Sequence, residues 1–267
     1  MMARMSWHEA CLLDPSLHSI SRFFTRTIDC GNVDWGLTNR CWKIVHPDHP
    51  PVVWRPITSV TKIFAISRHQ EYQILSALDR CEEKLSPKPY CINDHGLLVA
   101  WIEGDHPTVL DPKMLIHLLG RIHRFPVQKL PIFPFSYTAR IDHYWFQLKS
   151  LSVPVKEIEP LYQYWRTQPD IAIISPVLCH FDLGRHNVIK TISGLQVIDW
   201  EYATIGDPRI DLAMSIQGSG GNLATMVGLY CQMQNITALD EWIDAVKRWI
   251  PRVMMMSMLW YLIADQV

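Results

Sequence analysis

The sequence has no excess of charge of either sign. Its 25 Lys and Arg residues are matched by 26 Asp and Glu residues, and the formal net charge is −1. Proteins that bind nucleic acids or anionic membranes normally carry a clear basic excess. We therefore expect no nucleic-acid partner and no general attraction to lipid surfaces.

Paired cysteine motifs are also missing. Seven cysteines occur at positions 11, 30, 41, 81, 91, 179 and 231, and no two of them form a Cys-x-x-Cys pair. An odd number at irregular spacing suits neither a disulfide framework nor a zinc site. The pattern indicates reduced thiols and hence a cytoplasmic protein.

Long apolar runs are absent as well. The most apolar stretch covers residues 253–264, about a dozen residues, whereas a membrane span needs about 20. The first fourteen residues lack a sustained apolar run and include Glu9 and Asp14, so we expect no secretory signal. Residues 253–264 are expected to form part of a buried C-terminal helix instead of a membrane span.

What is present is an ordinary globular composition, 48% hydrophobic and 19% charged, that changes character along the chain. Strand and turn patterns dominate residues 23–55 and 90–101, with one helical pattern over 64–78. Beyond residue 102 the spacing predicts helices at 111–125, 139–150, 156–167, 210–216, 222–233 and 239–264. The sequence thus predicts an α+β fold with an N-terminal lobe, 1–101, and a mainly helical C-terminal lobe, 102–267.

Two apolar, strand-like segments near the middle of the chain end in polar side chains. Residues 179–187 read Cys-His-Phe-Asp-Leu-Gly-Arg-His-Asn, and residues 197–202 read Val-Ile-Asp-Trp-Glu-Tyr. Phosphoryl transfer needs a carboxylate beside the attacking hydroxyl and oxygen ligands for Mg²⁺. Asp182 is the candidate base, and Asn187 and Asp199 are the candidate Mg²⁺ ligands. His180 is expected to organise the loop, and Arg185 to add positive charge.

Residues 178–213 resemble the aminoglycoside phosphotransferase and choline kinase superfamily. Members typically follow the metal-binding Asp with Gly-Asp-Pro-x-x-Asp-Leu-Ala, and residues 206–213 read Gly-Asp-Pro-Arg-Ile-Asp-Leu-Ala. Residues 199–203 are most similar to the small bacterial thiamine kinases and their choline kinase relatives. The resemblance implies a two-lobed protein-kinase-like fold, ATP and Mg²⁺ as cofactors, and transfer of the γ-phosphoryl group to an alcohol. Thiamine is the first expected acceptor, followed by choline, ethanolamine or an aminoglycoside.

The nucleotide side of the prediction begins at a glycine-containing turn, residues 31–40. This turn is not a P-loop, because Leu37 stands where that motif needs a lysine and because a strand follows instead of a helix. It resembles the Gly-Leu-Thr-Asn loop of the superfamily, formed here by Gly36, Leu37, Thr38 and Asn39. Gly36 would let backbone N–H groups approach phosphate, and Thr38 and Asn39 would add donors.

Further along the N-terminal lobe, Arg55 and Glu71 suit the ion pair that holds the α/β phosphates in kinase-like folds. Family members often carry lysine at the first position, and Lys43 and Lys62 remain alternatives for the phosphate role. Val99 and Trp101 fall where the lobes are expected to join. There, backbone groups of Val99 would read the adenine edge, and Trp101 would line the purine pocket or form part of the core.

The acceptor is expected to be a cationic small molecule, since a cation favours carboxylates and aromatic faces. Glu201 and Asp207 are candidate carboxylates, and Trp200 is a candidate face. Asp207 and Asp211 have a second interpretation as caps of the helix that begins there, and Asp211 is taken as structural support.

Two other classes of function compete with this hypothesis. A metal-dependent hydrolase could use His180, Asp182 and His186 as ligands, but it leaves Asp199 and the β-rich lobe without a role. A nucleotide-binding pseudokinase is the other, and the presence of Asp182, Asn187 and Asp199 argues against it.

Overall fold

The structure, a computed structural model, describes residues 4–24, 29–34, 40–47, 49–81 and 83–267. The chain divides into two compact units, Met1–Gly104 and Asp105–Val267. No helix among the described residues combines the length and the apolar character that crossing a membrane requires.

The first unit is built on an antiparallel sheet of six strands in the order β1-β2-β3-β4-β6-β5. The strands are β1 (Arg4–Ser6), β2 (Asp29–Asp34), β3 (Arg40–His46), β4 (His49–Pro56), β5 (Pro89–Asn93) and β6 (Gly96–Ala100). The helices are α1 (Trp7–Leu13), α2 (Ser59–Ile63) and α3 (Arg68–Asp79), and Pro15–Phe23 is a 3₁₀ segment. The β-rich character expected of the first hundred residues is therefore observed.

An N-terminal segment, Trp7–Phe23, covers the middle of this sheet. Its Leu17 and Ile20 join a buried cluster with Trp42 and Trp54 of the sheet. Both indoles donate hydrogen bonds to the segment: Trp42 Nε1 lies 2.8 Å from Asp14 Oδ2, and Trp54 Nε1 lies 2.9 Å from Ser16 Oγ. A buried indole N–H needs an acceptor, so these bonds fix where the segment lies.

The single helix predicted over residues 64–78 is wrong in its start. The chain instead forms α2, stops, and begins again at α3. Ala65 has φ 55°, outside the helical region, and Ser67 caps α3 by accepting from the backbone N–H of Gln70 at 3.2 Å. A hydroxyl cap competes with continued helix, which the apolar spacing alone did not show.

The second unit is mainly helical. Its helices are α4 (Pro112–His123), α5 (Tyr137–Ser150), α6 (Glu159–Arg166), α7 (Pro208–Ser219), α8 (Leu223–Met233) and α9 (Leu239–Ala264). Its strands form two antiparallel pairs, β7 (Val177–Cys179) with β10 (Thr204–Gly206) and β8 (Val188–Thr191) with β9 (Gly194–Val197). The predicted cap of α4 is observed, since Asp111 Oδ1 accepts from Met114 N at 2.9 Å. The apolar residues 253–264 lie in α9 as expected, with Val253, Leu259 and Ile263 buried.

Candidate active site

A loop that we call the catalytic loop, residues 180–187, follows β7 and is held at its start by one carboxylate. Asp211, in the first turn of α7, is fully buried. Its Oδ2 accepts from the backbone N–H of His180 at 2.7 Å, and its Oδ1 accepts from that of Phe181 at 2.9 Å. The two hydrogen bonds fix the backbone immediately before Asp182, because charge-assisted bonds in a buried setting are strong.

Asp211 is supported by two further side chains, His123 and Tyr230, that sequence reasoning missed. His123 Nε2 lies 3.1 Å from Asp211 Oδ2, and His123 Nδ1 lies 2.7 Å from the hydroxyl of Tyr230. Because an ionised carboxylate only accepts, Nε2 carries the proton that faces it, and in the neutral ring Nδ1 then accepts from Tyr230. Burial, followed by the nearby Cys179 and Asp211, raises the pKa of Tyr230, so its hydroxyl keeps the proton it donates. His123 ends a predicted helix, but no local pattern in the sequence points to its distant partners.

Cys179, His123 and Asp211 place three possible metal-binding atoms within 4.8 Å of one another. The chemistry of the group does not suit a metal ion. Burial and the charge of Asp211 raise the pKa of the Cys179 thiol well above its usual value, whereas a metal needs the thiolate. The carboxylate is already engaged by two backbone N–H groups, so we assign the cluster to support of the loop.

Within the catalytic loop, the candidate base and a candidate metal ligand are in contact. Asn187 Nδ2 donates to Asp182 Oδ2 at 2.8 Å and to the Asp182 carbonyl at 2.9 Å. The backbone N–H of Asn187 donates to the Gly184 carbonyl at 3.0 Å, which folds the loop back on itself. Since the amide nitrogen faces Asp182, the amide oxygen of Asn187 is the atom suited to a metal ion.

His180 connects this loop to the segment that carries Asp199. Its Nε2 donates to the Ile198 carbonyl at 3.1 Å, and its Nδ1 accepts from the backbone N–H of Asp182 at 3.3 Å. The backbone N–H of Ile198 in turn donates to the Asn187 carbonyl at 2.9 Å. These are the contacts expected of a residue that organises the loop.

Asp199 follows in a strained conformation, with φ 62°, and Phe181 also has φ 62°. Positive φ is uncommon for residues other than glycine and is unusual for a bulky one such as phenylalanine. Such strain persists only where the surroundings enforce it, and it clusters at functional sites. Its occurrence immediately before Asp182 and at Asp199 marks both positions as functional candidates.

The charges of Asp182 and Asp199 both act on the imidazole of His186. A hydrogen bond with Asp182 raises the pKa of His186, burial opposes that shift, and the charges of Asp182 and Asp199 add to it. The exposed Arg185 acts on the same ring in the opposite direction. Asp182 and Asn187 are in contact, and hydrogen bonds from Ile198 to Asn187 and from His180 to Ile198 hold the segment that carries Asp199 beside them. The carboxylate of Asp199 and the amide oxygen of Asn187 are hard oxygen donors that fit Mg²⁺.

On the acceptor side, the buried Glu201 is close enough for its charge to act on two tyrosines, Tyr144 and Tyr202. Burial raises the pKa of the Tyr202 hydroxyl well above its usual value, and the charge of Glu201 adds to that effect. Burial also raises the pKa of Tyr144, where Arg140 opposes the shift and Glu201 reinforces it. Tyr202 accepts a hydrogen bond from Trp260 Nε1 at 2.8 Å. A carboxylate beside several aromatic side chains is an arrangement that suits a cation.

Trp200 and Asp207, the other two predicted substrate residues, have structural contacts instead. Trp200 is fully buried, donates from Nε1 to the Val197 carbonyl at 2.8 Å, and packs edge-on against His180. Asp207 caps α7 and is held by Arg209 through both carboxylate oxygens. Trp200 is engaged in packing and Asp207 in an ion pair with Arg209, so the observed contacts of both are structural. Their part in binding the acceptor stays a prediction.

In the first unit, the expected ion pair between β4 and α3 is present. Arg55 Nε lies 3.0 Å from Glu71 Oε1. Sequence reasoning missed a second partner, since Arg68 Nη1 lies 2.7 Å from Glu71 Oε2. Arg68 and Glu71 are almost completely buried, and Arg55 is 8% exposed. The triad holds the Arg55 guanidinium in a defined position on β4.

The remaining nucleotide candidates have different outcomes. Gly36, Leu37, Thr38 and Asn39 lie outside the described residues. Val99 lies within β6, where it is opposite Val53 of β4 and Pro89 of β5, so its backbone belongs to the sheet and we do not assign it to adenine. Trp101 follows β6, and Lys43 Nζ lies 3.6 Å from the centroid of its ring.

Comparison with known proteins gives the class first. The model of the phosphotransferase enzyme family matches residues 32–242. The chain belongs to this family, and it is an enzyme that transfers a phosphoryl group to a hydroxyl. The family predicted from residues 178–213 is thus confirmed.

Individual relatives narrow the comparison. Thiamine kinase of Escherichia coli O17:K52:H18 is 27% identical over 249 residues, which cover 91% of this chain and 85% of that protein. Choline kinase LicA from Streptococcus pneumoniae superimposes with a TM-score of 0.70 at 19% identity, over 97% of this chain and 91% of the other. Ethanolamine kinase from Plasmodium vivax gives a TM-score of 0.67 at 16% identity, over 95% and 82%. These likenesses confirm the predicted protein-kinase-like fold.

Proposed function

We propose that this chain is an ATP-dependent kinase that transfers the γ-phosphoryl group to the hydroxyl of a small cationic alcohol, with thiamine as its preferred acceptor. The contact between Asp182 and Asn187 carries the proposal, together with the hydrogen bond of 2.9 Å from the Ile198 N–H to the Asn187 carbonyl, which holds the segment of Asp199 beside the loop. The chain's similarity to thiamine kinases supports the choice of acceptor. The cysteine pattern supports a cytoplasmic location.

In this mechanism Asp182 accepts the proton of the attacking hydroxyl, and Asn187 keeps the carboxylate in place through Nδ2. Asn187 and Asp199 would hold Mg²⁺ through their oxygen atoms. The ion would neutralise the charge of the phosphates. Arg185, on the exposed side of the loop, would add positive charge near the transferred group.

The nucleotide is assigned to the first unit. Arg55, held by Glu71, would contact the α/β phosphates through its guanidinium fork. Residues 36–39 would supply phosphate-binding N–H groups. Trp101 would face the purine, with Lys43 stacked on its ring.

Glu201 with Tyr144, Tyr202 and Trp260 supports a cationic acceptor, and the positive thiazolium ring of thiamine meets that requirement. Choline and ethanolamine are the second candidates, because they carry the same type of charge and because the fold is shared with enzymes named for them. An aminoglycoside, with several positive charges, would need a broader acidic cleft, and the modest count of 26 acidic residues does not point to one.

A direct test incubates the enzyme with Mg²⁺, ATP and one alcohol at a time: thiamine, choline, ethanolamine or kanamycin. We expect phosphorylated thiamine with the highest kcat/KM, followed by choline. Phosphorylation of kanamycin alone would overturn the proposed acceptor class, and hydrolysis of ATP without transfer to any alcohol would contradict the kinase assignment for this panel.

Replacing the proposed base gives the first mutational prediction. Asp182→Asn removes proton acceptance while keeping the size of the side chain, so kcat should fall by roughly 10²–10⁴-fold. Nucleotide affinity, measured by calorimetry, should stay within about twofold of the wild-type value because Asp182 is not assigned to the nucleotide. The companion variant Arg185→Ala should lower kcat, and unchanged turnover would remove Arg185 from the mechanism.

A further inference from the structure

A cavity of ≈ 330 Å³ lies in the second unit, and none of the proposed catalytic, metal or acceptor residues lines it. Its apolar lining includes Ile174, Val177 and Ile236. Two aromatic rings add to the wall: Tyr230 and Trp242 stack with their centroids 5.3 Å apart and their planes inclined by 29°. Small-molecule sites are typically concave, apolar and lined by a few polar groups, with volumes from about 300 Å³ upward.

Two side chains of the lining supply acceptor atoms, and two others, Ser175 and Trp242, carry a hydroxyl and an indole N–H. Gln234 donates from Nε2 to the Gly120 carbonyl at 3.1 Å, which leaves its Oε1 as the acceptor of that amide. Tyr230 donates its hydroxyl proton to His123, which leaves a lone pair on the phenol oxygen. The lining contains no Lys, Arg, Asp or Glu. A charged ligand would therefore lose its hydration without meeting an opposite charge.

We propose that this cavity is a second small-molecule site, which takes a flat, uncharged aromatic ring bearing one N–H or O–H donor. The apolar walls and the stacked rings of Tyr230 and Trp242 match the faces of such a ring. The donor matches the acceptor atoms of Gln234 and Tyr230. A volume of ≈ 330 Å³ accommodates one or two fused rings.

The site is also connected to the catalytic loop. His123, one of its lining residues, bonds directly to Asp211, which holds the backbone of His180 and Phe181. Pro208, another lining residue, is the first residue of α7, the helix that carries Asp211. A ligand that binds one arrangement of His123 more tightly than another would shift the protein toward that arrangement. Because Asp211 links His123 to the catalytic loop, the position of the loop would shift with it. The ligand is therefore expected to change kcat more than the KM for the acceptor.

Indole is a suitable probe, because it is flat, uncharged and carries one N–H. Ligand-observed NMR on the full-length protein should show saturable binding of indole. 1-Methylindole, which lacks the donor, should bind roughly 2- to 12-fold more weakly, the range expected for one hydrogen bond. Equal affinities would overturn the assignment of the acceptor atoms.

Two neighbouring isoleucines provide a matched pair of variants. Ile174 lines the cavity, whereas Ile173 is 94% exposed and does not line it. Ile174→Trp should fill the space and abolish indole binding, and Ile173→Trp should leave binding unchanged. Should Ile174→Trp lose its cooperative thermal transition, Gln234→Leu serves instead: it removes one of the two acceptor atoms and should reduce the difference in affinity between indole and 1-methylindole. An unchanged difference would overturn the assignment of Gln234.

Kinetics then test the connection to the loop. At saturating indole we expect kcat to change by roughly fivefold, the lower end of typical coupling between sites, with little change in the KM for the acceptor. Indole binding that survives Ile174→Trp in a folded protein, or that the acceptor displaces competitively, would place the probe elsewhere and overturn the proposal. The binding measurements need no phosphoryl transfer, so they stand apart from the proposed function.

Discussion

At the scale of single residues, Asp211 shows what a sequence motif contains and what it omits. The motif at residues 206–213 identified Asp211 as structural support, and its position at the start of a helix favoured a capping role. Its observed partners are backbone N–H groups about thirty residues earlier and a histidine 88 residues earlier. Local patterns predict caps, but they contain no signal for bonds between distant segments.

Replacing Asp211 tests this role. Asp211→Asn turns one of the two acceptor oxygens into a donor that faces a backbone N–H, so the loop loses a charge-assisted bond. We expect the free energy of unfolding, measured with urea, to fall by about 1.5–3 kcal/mol, and kcat to fall with it. Asp265→Asn, at an exposed position near the C-terminus, is the matched control and should change neither. An unaffected kcat in the Asp211 variant would show that the loop is held by other contacts.

At the scale of secondary-structure elements, the contact between β4 and α3 depends on a buried triad of Arg55, Glu71 and Arg68. Arg55 and Glu71 were predictable because the family pattern pairs them. Arg68 was not, since the sequence showed it only as a polar position between the apolar residues of a helix. In the structure it is the first residue of α3 and is buried.

Removing the charge of Glu71, which contacts both arginines, should show how much free energy the burial of two guanidinium groups costs. Glu71→Gln removes the carboxylate that the buried Arg68 contacts at 2.7 Å, and the free energy of unfolding should fall by about 3–5 kcal/mol. The KM for ATP should rise, because Arg55 loses its fixed position. Glu103→Gln, at an exposed glutamate, should behave like the wild type. A loss of less than about 1 kcal/mol would mean that water reaches the triad.

Helices α5 and α6 are joined by a pair of charges that responds to pH. Asp142 accepts from Arg166 Nε at 2.8 Å and from the Tyr162 hydroxyl at 2.7 Å. Burial acts to raise the pKa of Asp142, but the hydrogen bonds of Arg166 and Tyr162 outweigh it and hold the pKa below its ordinary value. A carboxyl group with a lowered pKa in the folded state stabilises the protein above its unfolded pKa, and that contribution is lost as the pH falls through the folded pKa.

We therefore expect Asp142→Asn to destabilise the protein at pH 7 by no more than about 1 kcal/mol, since the pair is partly exposed and screened by solvent. The difference from the wild type should shrink below about pH 3.9, the ordinary value for aspartate. Thermal unfolding at pH 7 and at progressively lower pH measures both. A difference that stays constant with pH would show that the carboxylate charge is not responsible.

At the scale of the whole molecule, the α+β class, the family and most helices of the second unit could be predicted from the sequence. Helix periodicity and caps such as Asp111 are local, and the motifs around Asp182 and Asp199 are specific. The N-terminal segment Trp7–Phe23 was not predicted as helical, because α1 has only 7 residues and the 3₁₀ segment after it lacks the 3.6-residue period. The complete burial of Trp200 was not predicted, because composition shows that an aromatic residue is present, but not which way it faces.

The division into two compact units also leads to a prediction. The unit Asp105–Val267 has its own buried core, so we expect it to fold when produced alone. Circular dichroism should show a helical spectrum and a cooperative thermal transition. The isolated unit should transfer no phosphate, because Arg55 and Glu71 belong to the other one. A molten spectrum without a transition would show that its core depends on the rest of the chain.

The bonds from Trp42 to Asp14 and from Trp54 to Ser16 have a consequence for how such sequences diverge. Losing either acceptor would leave a buried indole N–H unsatisfied, at a cost of about 1–3 kcal/mol. Amino-acid substitutions at positions 14 and 16 are therefore expected to be coupled to substitutions at positions 42 and 54. Across descendants of this chain, each tryptophan and its acceptor should be kept together or replaced together.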